Sequence, residues 1–393
     1  MAVGAALLAA CGGTAQPAPG GPVAQPPSGS ASQAAAAQPA SGGASSSAAA
    51  KPGADWDKLV AAAKSEGKVT LSIGAASGQQ ARDSIVPAFK QDFGIDVEVI
   101  SGPSTQMVSR LKLEQSSGLH TVDVVIGGAD TMYLSFYGDK LIAPLRPLLI
   151  HPDALNGANW SVGKPWFMDP EGQYILRISN GVTGTTAINT KLLKTSDFTR
   201  ASDLLKPEYR GKIAGFDPTI NGSGAQHAAY FQLKLGADFV KKLFLDQQTV
   251  RTQDVRQLAD WIGRGNYAIA VTMTASNIEQ LKADGLPVSE IPELKDAPGY
   301  LTGATGLMAV VKESPHPNAA QLFVNWMAMA HGQGAYDKAT QMVSPLTTVK
   351  NDWVPSYVIP KPGVDYLDTY SWDYTVNTYP ALFEQVRKEL SAG

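Results

Sequence analysis

The tightest constraint on the fold is an alternation of strand-like and helix-like periods that begins at residue 68. Lys68-Val69-Thr70-Leu71-Ser72-Ile73 alternates polar and apolar residues as a half-buried strand does. It runs into small residues, 74–79, which read as a loop. Ile85, Val86, Phe89 and Phe93 then share one helical face, ended by Gly94. Residues 96–100 read as a second strand; Met107, Val108, Leu111 and Gln115 mark the next helix; residues 122–126 read as a third strand. A second small-residue loop, 127–131, follows. This order predicts a largely parallel sheet with helical crossovers. In such sheets ligands sit beyond the carboxyl ends of the strands, where both loops fall. Neither loop is GxGxxG or a P-loop, so no nucleotide site is expected.

The pattern recurs further on. Ile213-Ala214-Gly215-Phe216 reads as the end of a buried strand, residues 217–224 are turn formers, and Ala225, Ala228, Ala229, Phe231, Leu233 and Leu235 read as a helix. Asn221 or Ser223 is the expected N-cap, and the free N–H groups behind it suit an anion or an oxygen-rich molecule. Residues 267–271 read as a strand opening into the polar loop Thr272-Met273-Thr274-Ala275-Ser276-Asn277. Residues 301–306 lead into a strand at 307–311, and helices are expected over 238–246, 254–262 and 317–329. Residues 174–177 and 181–190 read as strand segments crossing a hinge. Trp160, Trp166 and Tyr174 are expected to pack in the core or a lid.

Composition removes several function classes. A net charge of −3 over 393 residues gives no basic patch for nucleic acid. Cys11 is the one cysteine, so there is no disulfide and no CxxC site. His120, His151, His227, His316 and His331 lack HExxH spacing, and His120 and His316 read as solvated loop histidines. Leu8-Ala9-Ala10-Cys11 resembles a bacterial lipobox closing a signal peptide, with Cys11 the expected lipidation site. Residues 12–50 contain no charged side chain and cannot bury enough apolar surface to fold. As a tether they would reach roughly 35 Å.

Five further segments share one resemblance. Gly263-Arg264-Gly265-Asn266-Tyr267-Ala268-Ile269-Ala270, residues 314–323, His331-Gly332-Gln333-Gly334, residues 204–213 and residues 138–145 resemble ordered motifs of the extracellular solute-binding proteins of ABC importers. The likeness is to the branch that contains the bacterial ferric-ion-binding proteins, and it runs from about residue 55 to 349. It implies an α/β fold of the periplasmic-binding-protein type II-like class: two lobes, a hinge of crossover strands and a ligand cleft between them. The expected division is a signal-peptide remnant (1–11), a linker (12–53), a first lobe (54–183 plus 303–350) and a second lobe (184–302 plus 351–393).

The same resemblance implies a receptor without catalysis or cofactor, acting as a monomer outside the cytoplasmic membrane. Its partners would be a small-molecule solute, the transmembrane permease subunits, and the membrane through the lipid alone. The ferric branch has adjacent tyrosines in the loop that is 272–277 here, and a histidine where Ser77, Gly78 and Gln79 stand. Neither feature is present, so direct iron binding is the alternative rather than the first reading. The expected contacts are Ser77, Gln79, Asp130, Thr131, Thr185, Asn221, Gly222, Ser223, Gly224, Thr272, Thr274 and Thr302. Hydroxyls, amides and N–H groups fit a phosphonate, a sugar phosphate, a carboxylate or another polar organic solute. Arg82 and Arg177 read as surface ion-pair partners, with oxyanion forks as their alternative. A hydrolase would need an activated nucleophile; there is no GxSxG, and Ser223 with His227 reads as a helix cap and a helix-face histidine.

Overall fold

Period-two and period-3.6 segments become strands and helices in the order in which they occur. A computed structural model describes residues 53–391 except 184, 185 and 292. The lipobox and most of the linker lie outside the described residues. The chain runs α1 (Ala54–Glu66), β1 (Lys68–Gly74), α2 (Ala75–Phe93), β2 (Asp96–Gly102), α3 (Ser104–Ser116) and β3 (Val124–Gly127), then a π-helical turn (Thr131–Tyr137). It continues through β4 (Ile142–Ala143), α4 (Pro152–Leu155), β5 (Leu176–Arg177), β6 (Val182–Thr183), β7 (Ala187–Asn189) and β8 (Ile213–Phe216). Next come α5 (Ser223–Leu235), α6 (Ala237–Lys241), β9 (Val250–Thr252), α7 (Val255–Arg264), β10 (Ile269–Val271), α8 (Ala275–Ala283) and β11 (Val288–Glu290). The last elements are β12 (Tyr300–Leu301), β13 (Leu307–Val311), α9 (Pro317–Met327), α10 (Ala330–Thr340), β14 (Leu367–Asp368) and α11 (Tyr379–Ser391).

Two sheets result. The first has the order β2-β1-β3-β13-β4, with β5 also on β13; the second has the order β11-β7-β10-β8-β9. β1 is parallel to β2 and β3, but β13 is antiparallel to β3, β4 and β5. In the first sheet the parallel expectation therefore holds for these three strands; in the second, β8 is parallel to β9 and β10, while β7 is antiparallel to β10 and β11. β12 passes the chain to β13 through a short turn without a crossover helix, so β13 enters from the end where β3 finishes.

Helix α2 starts at Ala75, immediately after β1, so residues 75–79 are its first turn and not a loop. Gly78 belongs there because a Cβ would lie 2.4 Å from the Ser101 Cβ on β2. The helix can press onto the strand only where the side chain is missing.

Each sheet has its own core. Around β1 and β3, Phe89 packs against Phe323 and Trp326 with centroids 5.3 and 5.2 Å apart. Around β8 and β10, Tyr230, Phe231, Phe239 and Phe244 are buried, and α11 closes over α5 through Val386 and Leu390. Burying an aliphatic or aromatic side chain of this size contributes about 1.5–3 kcal/mol each. No helix of the described residues is long and apolar enough to cross a membrane.

A third sheet links the two. β6 leaves the first sheet, β12 returns to it, and the two pair antiparallel, Tyr300 with Thr183 and Leu301 with Val182. β14 adds in parallel to β12. One buried cation holds this sheet to the first. Arg177, 0 % exposed, donates from one terminal nitrogen to both Asp368 carboxylate oxygens at 2.8 and 2.9 Å. Its other terminal nitrogen donates to Asn180 Oδ1 at 2.7 Å, its Nε donates to the Ser179 carbonyl, and Trp166 stacks on it at 4.4 Å. Arg177 is thus neither a surface ion pair nor an oxyanion fork. Its neighbours Ile175, Leu176 and Ile178 are all buried, which carries its own stem inward. Arg82 donates to the Val99 carbonyl and Ser101 Oγ and ties α2 to β2.

Of the loop aromatics, Trp160 is a core residue, and Trp166 and Tyr174 are half-buried against the core. Trp160 is 2 % exposed and its indole donates to the Ala154 carbonyl. Tyr174 packs edge-on to Tyr137. The loop histidines are paired rather than solvated: His316 Nδ1 lies 2.9 Å from buried Asp123, and His120 Nε2 lies 3.0 Å from Glu313.

Removing one partner of a buried ion pair strands the other charge. Arg177→Met should lower stability by about 3–5 kcal/mol, read as a fall in the urea midpoint. Replacing Arg177 and Asp368 together by apolar residues should recover part of the loss.

Candidate functional site

The carboxyl ends of β2, β8 and β10 each lead into a helix whose first turn faces one cavity. Ser104 opens α3, Ser223 opens α5 and Ala275 opens α8, and all three line a space of about 610 Å³. The rest of the wall comes from residues 128–131 after β3, Asn180 to Thr183 at the hinge, Tyr300 to Thr305 on the returning strand, the end of α10, and Thr369 and Tyr370 after β14. Both sheets and the hinge therefore contribute.

Two of these helices start without a side-chain cap. Pro103 precedes α3 and Gly222 precedes α5, and neither provides an acceptor side chain. The expectation that Asn221 or Ser223 caps α5 is not met. Asn221 Oδ1 instead accepts from the Tyr379 hydroxyl at 2.8 Å, and Ser223 is the first helical residue. Gly222 has φ +153° and ψ −163°, a turn that a side chain would strain. α8 is capped by Thr274, whose Oγ1 accepts from the Asn277 N–H at 3.4 Å. Uncapped first-turn N–H groups are open to an external acceptor, and the helix dipoles add partial positive charge.

The expected contact residues fall into two groups. Asp130, Thr131, Ser223, Thr274 and Thr302 line the cavity. Ser77, Gln79, Asn221, Gly222, Gly224 and Thr272 lie off its wall. Ser77 Oγ is hydrogen-bonded to Thr305 Oγ1, which does line it. Gln79 is exposed and donates to Asp83 at 2.8 Å. Thr272 sits at φ +73° with its Oγ1 accepting from the Phe216 N–H at 2.9 Å, a tie between β8 and β10. Gly224 lets α5 approach the end of β8. Thr185 lies outside the described residues, as does Cys11.

Sequence reasoning did not single out Asn180, Gln226, Thr305, Gln341 or Tyr370, all of which line the cavity. Gln226 was findable, three residues after Ser223 and so on the same helical face. Tyr370 belongs to an aromatic-dense C-terminal stretch that reads as lobe packing with a pocket rim as its alternative, and it reaches the wall where β14 pairs with β12.

The electrostatics are spare. Asp130 is the one carboxylate among the described lining residues, and no lysine or arginine joins it. Burial by the surrounding walls raises its pKa above the ordinary 3.8. Burial also pushes the Tyr370 phenol up to about 12, so it stays protonated at neutral pH. His227 faces away into the aromatic core, 4.4 Å from Phe231, and burial pushes it down to about 3. A ring held neutral in this way is a poor base for Ser223. Below the floor, buried Asp337 accepts from Ser179 Oγ; its second oxygen has no partner, and burial raises its pKa well above 3.8. Among the described residues no group of three or more His, Cys, Asp or Glu is placed to hold a metal ion.

A family model described as bacterial extracellular solute-binding protein matches residues 74–334. No curated protein matches the chain. Solved structures share the fold. The periplasmic binding protein AfuA from Actinobacillus pleuropneumoniae, with fructose-6-phosphate bound, is 17% identical, covering 83% of this chain and 99% of its own, at a TM-score of 0.59. Iron-bound HitA from Pseudomonas aeruginosa is 19% identical, covering 81% and 99%, at 0.59. The Mannheimia haemolytica ferric iron-binding protein A, in an open conformation, is 15% identical, covering 82% and 98%, at 0.59.

Two variants probe the frame of the cavity. A Cβ at Gly224 would lie 2.8 Å from the Asp217 carbonyl oxygen and 2.9 Å from Phe216 backbone atoms. Gly224→Ala should therefore lower stability by about 1–3 kcal/mol, measured by denaturant melting. Asp337 binds a proton more tightly folded than unfolded. Between pH 3.8 and its raised pKa the folded state holds the extra proton, so this group's contribution to stability falls as pH rises. Asp337→Asn should flatten that slope in urea midpoints measured against pH.

Proposed function

The chain belongs to the bacterial extracellular solute-binding proteins, the substrate-binding components of ABC importers, and from this we propose that it captures a small polar organic solute between two lobes and presents it to a permease. The observation that carries the reading is the convergence of three helix N-termini, two of them without a side-chain cap, on one hydroxyl-lined cavity. A dipole near an acidic group contributes about 0.3–1 kcal/mol, and up to about 2 when partly buried. Several such donors with threonine and serine hydroxyls suffice for micromolar capture, about 8 kcal/mol. The solute classes favoured are sugar phosphate, phosphonate and carboxylate. A volume of about 610 Å³ suits a molecule of that size.

Closure is driven by the solute's preference for the closed state, since equal affinity for both would shift nothing. The first lobe is taken as 54–183 plus 303–350 and the second as 184–302 plus 351–393. Packing of α11 on α5 supports placing the C-terminal helix with the second lobe. Lipid at Cys11 and the uncharged tether would hold the receptor, as a monomer, at the outer face of the cytoplasmic membrane.

Ferric iron is the second reading, and the donor set argues against a bare ion. Fe³⁺ wants several anionic oxygens, whereas this wall offers one carboxylate and phenols that burial keeps protonated. Catalysis has no support in the Ser223 and His227 environment.

The expected result is that a solute at about one hundred times its Kd raises unfolding free energy by about 2.7 kcal/mol and is recovered unchanged. Calorimetry and solute recovery after incubation check both. Consumption of the solute, or stabilisation by ferric ion alone, would replace this reading. Cys11→Ser should release the protein from membranes on cell fractionation.

A further inference from the structure

Asp130 has a place in the cavity that the helix ends do not explain. It immediately precedes the π-helical turn Thr131–Tyr137, yet it makes no side-chain cap bond to that turn. No other described residue hydrogen-bonds its carboxylate either, although the side chain lines the cavity. The phenols nearby do not neutralise it. Tyr370 and Tyr379 are kept protonated first by burial, and the Asp130 charge adds to the effect. Tyr379 spends its hydroxyl on Asn221. The one formal charge on the described wall is therefore negative, and it stands exposed in the cleft with no hydrogen-bond partner among the described residues.

A carboxylate in that position is satisfied by a donor and opposed by a second anion. Resting on the receptor reading above, we propose that Asp130 is the specificity-determining residue of the cleft. It accepts a hydrogen bond from a hydroxyl or ammonium group of the solute, and it confines any acidic group of the solute to the helix N-termini. The solute is then two-ended, with an acid for the helix ends and a donor for Asp130. Acids without a donor, such as sulfate or fully ionised tricarballylate, are rejected.

The test uses the full chain and four probes at neutral to mildly alkaline pH: fructose 6-phosphate and glucosamine 6-phosphate, which carry both ends, and sulfate and tricarballylate, which carry acid alone. Binding is followed by calorimetry and by melting temperature. In the native protein at least one two-ended probe should bind tenfold or more tighter than either acid-only probe. Asp130→Asn should weaken that probe at least tenfold and narrow the gap, and should leave the melting temperature of the unliganded protein unchanged or higher. Affinity of the native protein for the two-ended probe should fall as pH drops through the Asp130 titration, and the variant should lose that dependence. If acid-only probes bind the native protein as tightly, or Asp130→Asn changes no ratio, this inference fails while the receptor reading stands. If none of the four binds and no solute is carried through purification, both fail.

Discussion

The Arg177–Asp368 pair is the contact on which the arrangement of the cleft depends. Arg177 belongs to β5 in the first sheet and Asp368 to β14 in the linking sheet, so a single guanidinium joins the two. The same group fixes Ser179 and Asn180, and Asp368 accepts from the Tyr370 N–H at 3.1 Å. Asn180 and Tyr370 both line the cavity. A buried ion pair rarely adds much net stability over a hydrophobic substitute, but breaking it is expensive. Its value here lies in position: the planar guanidinium spreads its donors over Asp368, Asn180 and Ser179 and so sets where the hinge and the cavity floor meet.

Above that floor the cavity works with backbone groups more than with side-chain charge. α3 and α5 are preceded by Pro103 and Gly222, residues whose side chains cannot supply a capping oxygen. Placing such residues before a helix leaves its first N–H groups without a side-chain acceptor and gives up roughly 1 kcal/mol of capping per helix. The floor is similarly under-satisfied. Asp337 has an oxygen without a partner in a fully buried site, and the segment it anchors, Thr340 to Val343, forms part of the wall. Such local destabilisation concentrates where a ligand is to be held.

Much of this was legible in the sequence, and the misses have physical causes. Period-two and period-3.6 patterns located β1, β2, α3, β8, α7, β13 and α9 closely, because burial of one face fixes each pattern. The ordered motifs pointed to the family that the matched residues 74–334 establish. Local reading mistook the first turn of α2 for a loop, since glycine and serine look like turn formers when their packing partner, Ser101, is unseen. It exposed Arg177 because a lone arginine in a strand usually faces water, and its partner lies 191 residues away. Five of the twelve residues expected to touch a ligand line the cavity, those being Asp130, Thr131, Ser223, Thr274 and Thr302. Asn221, Gly222 and Gly224 sit within two positions of the start of α5 but off the wall, where facing depends on dihedral angles that composition does not reveal. Tyr370 and Asn180 come to the wall through pairing across the linking sheet, which no local window contains.

Thr272 bears on how the cleft moves. A β-branched residue at positive φ is held there against its own torsional preference, and the Phe216 N–H bound to its hydroxyl is what retains it. That bond fastens the exit of β10 to the exit of β8, and so the mouth of α8 to the mouth of α5. The two rims of the second sheet are thereby one mechanical part, and a swing about β6 and β12 carries them as a single palate rather than as two independent fingers.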